Sequence, residues 1–260
     1  MKKLLLAAAS MMVLSLSVPA SAADMAARPY TKAPVAPVVA VYNWSGFYVG
    51  GHIGWGWGQV DSTIAAPGTV SFPTGTPLNR TDTDGFLGGV QGGFNWQINS
   101  LVLGIEGEYT WTDIKGSSST VSPLFPAVVT STNVKTDDIA MVTGRIGYAA
   151  NEWLFYAKGG WAWTHGGSNG LVTVAGAPFS NTSTSVDRDG WVVGAGVEWG
   201  FAPNWSAKVE YNHIDLGSKI VTVNQTVGAA TFVDSSTKLD LVKAGVNYRF
   251  NWGGAGVTRY

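Results

Sequence analysis

Along the chain, bulky apolar residues recur at every second position in eight segments of about a dozen residues. In the first of these, Phe47, Val49, Ile53, Trp55 and Trp57 share one face, while Tyr48, Gly50, His52, Gly54 and Gly56 share the other. A period of two predicts a β-strand. The same alternation predicts strands over about 46–58, 85–96, 101–112, 138–149, 153–164, 190–200, 204–213 and 239–250. The connections at Gln97–Ser100, Ala150–Glu152 and Phe201–Pro203 are tight, whereas 59–84, 113–137, 165–189 and 214–238 are long. Strict alternation of short and long connections predicts an all-β fold, an eight-stranded antiparallel up-and-down barrel with all long connections at one end.

One face of these strands is aromatic and the other is small or charged. The first carries Phe86, Val90, Phe94 and Trp96, then Leu101, Leu103, Ile105, Tyr109 and Trp111, and further on Trp153, Phe155, Trp161 and Trp163. Trp and Tyr gather near the segment ends, as in the girdles of a transmembrane barrel, where the ring sits in lipid and its polar edge among headgroups. A soluble barrel with its apolar face inward is the alternative, but an eight-stranded interior has little room for so many rings. The opposite face holds Glu106, Glu108, Arg145, Lys158, Glu198, Lys208, Glu210, Lys243 and Arg249. A Lys or Arg facing lipid at the midplane costs about 2–4 kcal/mol, which assigns this face to the lumen. Four acids and five bases nearly cancel there. Glycines on the same face leave room for the long side chains. Glu106 and Arg145, at matching depth on neighbouring strands with Lys158 close by, are expected to plug the lumen. Reversing Arg145 to Glu is expected to open that plug.

Composition agrees with a barrel wall. Charged residues are 13% of the chain and glycines number 34 of 260, against about 25% charged in a typical soluble domain. Lys2 and Lys3, an apolar stretch from Leu4 to Val18 and the small-residue site Ala20-Ser21-Ala22 predict a signal peptide over 1–22. An Ala/Pro-rich periplasmic tether (23–43), the barrel (44–250) and a periplasmic tail (251–260) follow. Removing Lys2 and Lys3 from the 16 basic residues leaves 14 against 17 acidic ones, a net of −3, so there is no basic footprint for nucleic acid. Without cysteine there is neither disulfide nor thiolate metal site.

Motifs for catalysis are sparse. Glu106 and Glu108, two apart on one strand face, have the spacing of a general acid–base pair, but lumen cations offer them a simpler role. His52, His165 and His213 are too dispersed to announce a metal site. No cofactor is expected, and an enzyme constellation near the rim would have only His165 and His213 to draw on.

Four stretches resemble the small outer-membrane β-barrel proteins of alphaproteobacteria, related in architecture to the OmpA transmembrane domain: YNWSGFYVGG (42–51), DGFLGGVQGGFNW (84–96), GRIGYA (144–149) and LVKAGVNYRF (241–250). The resemblance implies a non-enzymatic barrel of the cell outer membrane serving envelope integrity and surface interaction, with both termini periplasmic and the long loops extracellular. It also implies outer-membrane lipid, lipopolysaccharide and the barrel assembly machinery as partners, and host or environmental surfaces as ligands of the loops. Roles as a small porin or a hemin-binding surface protein attach to some members of this group and stand as alternatives. Val242, Ala244, Val246, Tyr248 and Phe250 supply the alternating apolar pattern of a last-strand assembly signal, so the barrel is expected to close at Phe250.

Overall fold

The structure, a computed structural model, describes residues 42–65, 73–223 and 231–250. The signal peptide, nearly all of the tether and the tail expected from sequence lie outside these residues. Eight strands follow one another: β1 (Gly46–Ile64), β2 (Pro77–Ile98), β3 (Leu101–Val121), β4 (Val128–Ala150), β5 (Trp153–Val174), β6 (Ala177–Ala202), β7 (Trp205–Val223) and β8 (Thr231–Phe250). Each pairs antiparallel with its neighbours, and β1 pairs with β8, so the sheet closes on itself. Trp55, for instance, stands opposite Phe86 on β2 and Val242 on β8. Closure leaves no free strand edge along the paired length.

The strands begin where the sequence places them at the tight-turn end but run much further at the other. The stretch 165–189 is a long connection in which the β-formers Leu171–Val174, like Ile220–Val223 further on, point to a hairpin continuing as a ribbon. It is the paired upper part of β5 and β6, joined by a two-residue turn at Ala175 (φ 49°) and Gly176 (φ 82°). Positive φ at both positions is the hairpin turn whose twist matches the strands. Likewise Gly116–Val121 pairs with Val129–Val134, so most of the expected loop 113–137 is strand. Ser, Thr, Asn and Gly there read as solvated connections, yet Thr and Val at alternate positions suit a ribbon wet on both sides. At the other end, Asn99 (φ 55°) and Asn151 (φ 54°) turn the chain in the left-handed region that asparagine tolerates.

The exposed apolar side chains form a belt. On β5 it spans Trp153 to Trp163, eleven positions, above which the outward residues are His165, Gly167 and Asn169. That matches the 9–11 residues a tilted strand needs to cross a bilayer. A 22-residue strand is about 70 Å long at about 3.3 Å per residue, so much of the barrel wall projects past the belt at the hairpin end. In β4 the alternation breaks at Asp137. The register against β5 shifts between Thr136 and Asp138, and inward positions pass from Ile139 and Met141 to Val134 and Thr136.

Candidate functional site

The lumen is filled in layers, each set by which inward residues the registers bring level. At the tight-turn end, Tyr42 to Ser45 fold under the barrel mouth. Trp44 is buried against Val102, Ala149, Leu154 and Tyr156. Its backbone N–H donates to Gln97 Oε1 at 2.7 Å, and its indole N–H donates to the Asn151 carbonyl at 3.4 Å. Arg249 seals this layer, donating to the Asn43 carbonyl and the Tyr42 hydroxyl. Its guanidinium lies 4.3 Å from the Tyr42 ring and 4.9 Å from that of Trp44. The last two residues assigned to a tether, Tyr42 and Asn43, are therefore packed against the barrel. Arg249 belongs to this aromatic clamp, and among the described residues no carboxylate pairs with it.

Above the clamp lies the charged layer. With Arg249 elsewhere, it contains four acids (Glu106, Glu108, Glu198, Glu210) and four bases (Arg145, Lys158, Lys208, Lys243), and its formal charge is zero. Lys158 Nζ reaches Glu106 at 3.1 Å, Glu108 at 3.0 Å and Glu210 at 2.7 Å. Lys208 touches the same three carboxylates at 3.2–3.4 Å, and Lys243 joins Glu108 (2.5 Å) to Glu210 (3.1 Å). All six of these side chains have zero exposure. Arg145 does approach Glu106, at 3.8 Å, but its nearer carboxylate is Glu198 across the barrel, at 3.3 Å. The plug expected from Glu106, Arg145 and Lys158 is thus one part of a single network that also takes in Glu108, Glu198, Lys208, Glu210 and Lys243.

The neutral residues that complete this network were not singled out from sequence. Tyr48 donates to Glu106 and Tyr156 to Glu210, each at 2.8 Å. The Arg145 guanidinium lies between their rings, at 4.8 and 5.1 Å. Asn95 accepts from Arg145 Nε at 2.8 Å, while Ser206 and Asn247 donate to Glu198. Two glycines make room for the tyrosines: a methyl group on Gly196 would stand 2.6 Å from the Tyr156 ring, and one on Gly93 would strike the Tyr48 hydroxyl. Signals for these partners existed in the inward phase of Tyr48 and Tyr156, but the aromatic-outward rule draws attention away from them.

This arrangement answers the candidate chemistries. The carboxylates of Glu106, Glu108 and Glu210 converge within 4.8 Å, near enough to hold a cation, but three lysine ammonium groups occupy that position. Glu106 and Glu108 are saturated by the same lysines, which leaves neither oxygen poised to take a proton from a substrate. His52 is held by Gln91 (2.6 Å) and Thr110 (3.0 Å), while His165 and His213 sit near Asp138 and Asp240 on the outer side.

A third layer was not anticipated. Leu87, Ile114, Ile139, Met141, Ala162, Val192, Ile214, Leu216, Leu239 and Leu241, all buried and all inward, pack across the lumen as an apolar septum. Above it, at the hairpin end, lies a vestibule of about 430 Å³ walled by alternating Val and Thr, with Arg188 among its lining residues. An apolar groove of about 830 Å³ on the outer wall, over Ala157 and Ala195, is larger. It is a lipid-facing hollow, so the vestibule is the cavity with chemistry.

The sequence matches the family described as outer membrane protein beta-barrel domain over residues 6–250. It is 32% identical to a 31 kDa outer-membrane immunogenic protein of Brucella melitensis, covering 84% of this chain and 88% of that one. It is 28% identical to a 22 kDa outer membrane protein of Rhizobium leguminosarum, covering 79% and 80%. Among solved structures, the outer membrane protease OmpT from Escherichia coli aligns with a TM-score of 0.51 at 10% identity, over 79% of this chain and 97% of that one, a likeness of fold alone. A closed eight-stranded ring with an aromatic belt and a charged lumen, matched along nearly its whole length, belongs to the outer membrane protein β-barrel family.

Proposed function

We propose that this is a non-catalytic barrel of the outer membrane with a sealed lumen, which strengthens the envelope and presents its hairpin end to the exterior for surface interaction. The observation that carries this reading is the stacking of three closures. The aromatic clamp, the neutral charged layer and the apolar septum each span the lumen, so water finds no continuous path. The tight-turn end and both termini then face the periplasm, as short turns do in bacterial barrels. The name of the Brucella relatives, immunogenic, suits hairpins that stand clear of the membrane. On β8, Val242, Ala244, Val246, Tyr248 and Phe250 share the outward phase, which suits recognition by assembly machinery before closure. Lipid and lipopolysaccharide would contact the belt and the wall above it.

The small-porin alternative is tested by conductance of refolded protein in planar bilayers. The expected result is no steady conductance in the wild type, and none in Arg145→Glu either, because the septum and the clamp persist when the charged layer is disturbed. The expectation that this single reversal opens the lumen presumed a plug of one layer. A steady ohmic channel in the wild type would overturn the sealed reading and favour diffusion of small solutes.

A further inference from the structure

We infer that the vestibule is a binding site for a small amphipathic monoanion, with its acidic head on Arg188 and its apolar body against the valine and leucine walls. The inference does not depend on which compartment the hairpin end faces. Arg188 is 9% exposed and lines the cavity. Of its five N–H donors, the structure shows one group in use, Nη1 donating to the Ser235 carbonyl at 2.7 Å. Among the described residues no carboxylate pairs with it. Asp234, next along β8, is exposed and acts on Arg188 through its charge without forming an ion pair with it. Lys135 and His165, which also line the cavity, are held by Asp137 and Asp138, and the septum separates Arg188 from the four glutamates below. A buried cation with one acceptor is costly unless a partner arrives, and a carboxylate matches the guanidinium fork in geometry as well as charge.

A second observation points into the same cavity. The Thr83 hydroxyl lines the vestibule, is buried and has no hydrogen-bond partner. Orphaned polar atoms are rare in native interiors, and this one belongs to a residue of the vestibule wall, where a rotation about χ1 would turn it towards an anionic or hydroxylated ligand. The remaining wall alternates Thr with Val60, Val134 and Val186 above a floor of Leu216 and Leu239. Such a surface rewards an apolar body and disfavours a bare, strongly hydrated ion. The volume falls within the range of about 300–1,000 Å³ typical of small-molecule sites.

The test uses hexanoate, which is short enough to partition weakly into lipid, titrated into refolded full-length protein in phosphatidylcholine nanodiscs and followed by NMR. Hexanoate is expected to shift the Arg188 Nε–H and the Thr83 and Leu239 amides saturably, with hexan-1-ol and acetate binding at least tenfold more weakly and hexylamine not competing. Arg188→Gln, which removes the charge and keeps an amide donor on a shorter side chain, is expected to weaken hexanoate at least tenfold and leave hexan-1-ol unchanged. Arg188→Lys is expected to retain part of the affinity. Retained gel mobility of the unboiled variants establishes folding. No saturable shift with hexanoate, equal binding of hexan-1-ol or acetate, or an Arg188→Gln variant that binds hexanoate as the wild type does would each overturn the assignment.

Discussion

Replacing Lys243 by Met tests whether the charged layer acts as one network. Lys243 is fully buried and joins Glu108 at 2.5 Å to Glu210 at 3.1 Å. Met fills much of the same space without the charge, so the layer passes from neutral to −1. Breaking a buried pair by removing one partner costs about 3–5 kcal/mol. Here the lower end is expected, because Glu108 keeps Lys158 (3.0 Å) and Lys208 (3.4 Å), and Glu210 keeps the same two lysines at 2.7 and 3.4 Å. We expect a loss of about 3 kcal/mol. Adding Glu108→Gln restores neutrality and should recover at least about half of that loss, so that the coupling, which also contains the cost of Glu108→Gln alone, exceeds about 1.5 kcal/mol, as contacting residues allow. The assay is reversible urea unfolding in phospholipid vesicles, read by the fluorescence of the 12 tryptophans and by gel mobility. A Lys243→Met variant within about 1 kcal/mol of wild type, a difference ordinary for any substitution, would refute the network. So would a double variant as unstable as the sum of the singles.

Arg249→Met should cost less, about 1–2 kcal/mol for lost cation–π and carbonyl contacts, because no carboxylate is orphaned in the clamp; a loss equal to that of Lys243→Met in the same urea assay would place Arg249 back in the charge network. The unboiled wild type should migrate differently from boiled protein on SDS gels, since the ring has no edge for detergent to open, and identical mobility of folded material would count against closure. His165, outside the belt, has its pKa raised by the hydrogen bond and charge of Asp138; a raised pKa means that its contribution to stability is complete below about pH 6.5 and is lost as pH rises through the folded value, and an NMR titration in which Asp138→Asn leaves that pKa unmoved would contradict this. Epitope tags near Thr74, Leu124 and Gly176 should be labelled on intact cells and tags near Asn99 or Asn151 should not, with reverse labelling refuting the proposed orientation.

The strands were legible because lipid imposes one demand on every outward position. Any polar residue facing hydrocarbon is penalised, so Phe47 to Trp57 or Trp153 to Trp163 must show a strict period of two. Above the belt that demand lapses. Water accepts Ser168, Asn169 and Thr184 on either face of a ribbon, while the backbone pairs regardless. The sequence there alternates only weakly, with Thr and Val at every second position and no aromatic face, and the ladder continues through residues that read as loop. Asp137 in β4 hides the continuation further, since one extra residue exchanges the two faces.

Inside the barrel the legible part was the sign of each charge. What the sequence hid was the height at which each group sits. Strand stagger decides that Arg145 lies level with Glu198 across the lumen as well as beside Glu106, and that Arg249 drops below the network to meet Tyr42 and Trp44. A pattern along one strand says nothing about level between strands. The septum escaped for a related reason. Leu87, Ile114 and Val192 stand singly in the inward phase between Gly or Thr neighbours, and Ile139 with Met141, Ile214 with Leu216 and Leu239 with Leu241 form inward pairs no longer than two positions. None disturbs the local alternation enough to be noticed, because both faces of a strand can be apolar at one position without losing the overall period. Only when the ring closes do one or two residues from each strand of β2 to β8 come level, and a face assigned to charge and space proves to contain an apolar wall. That wall separates a saturated, neutral network from a vestibule in which Arg188, among the described residues, has no carboxylate paired with it.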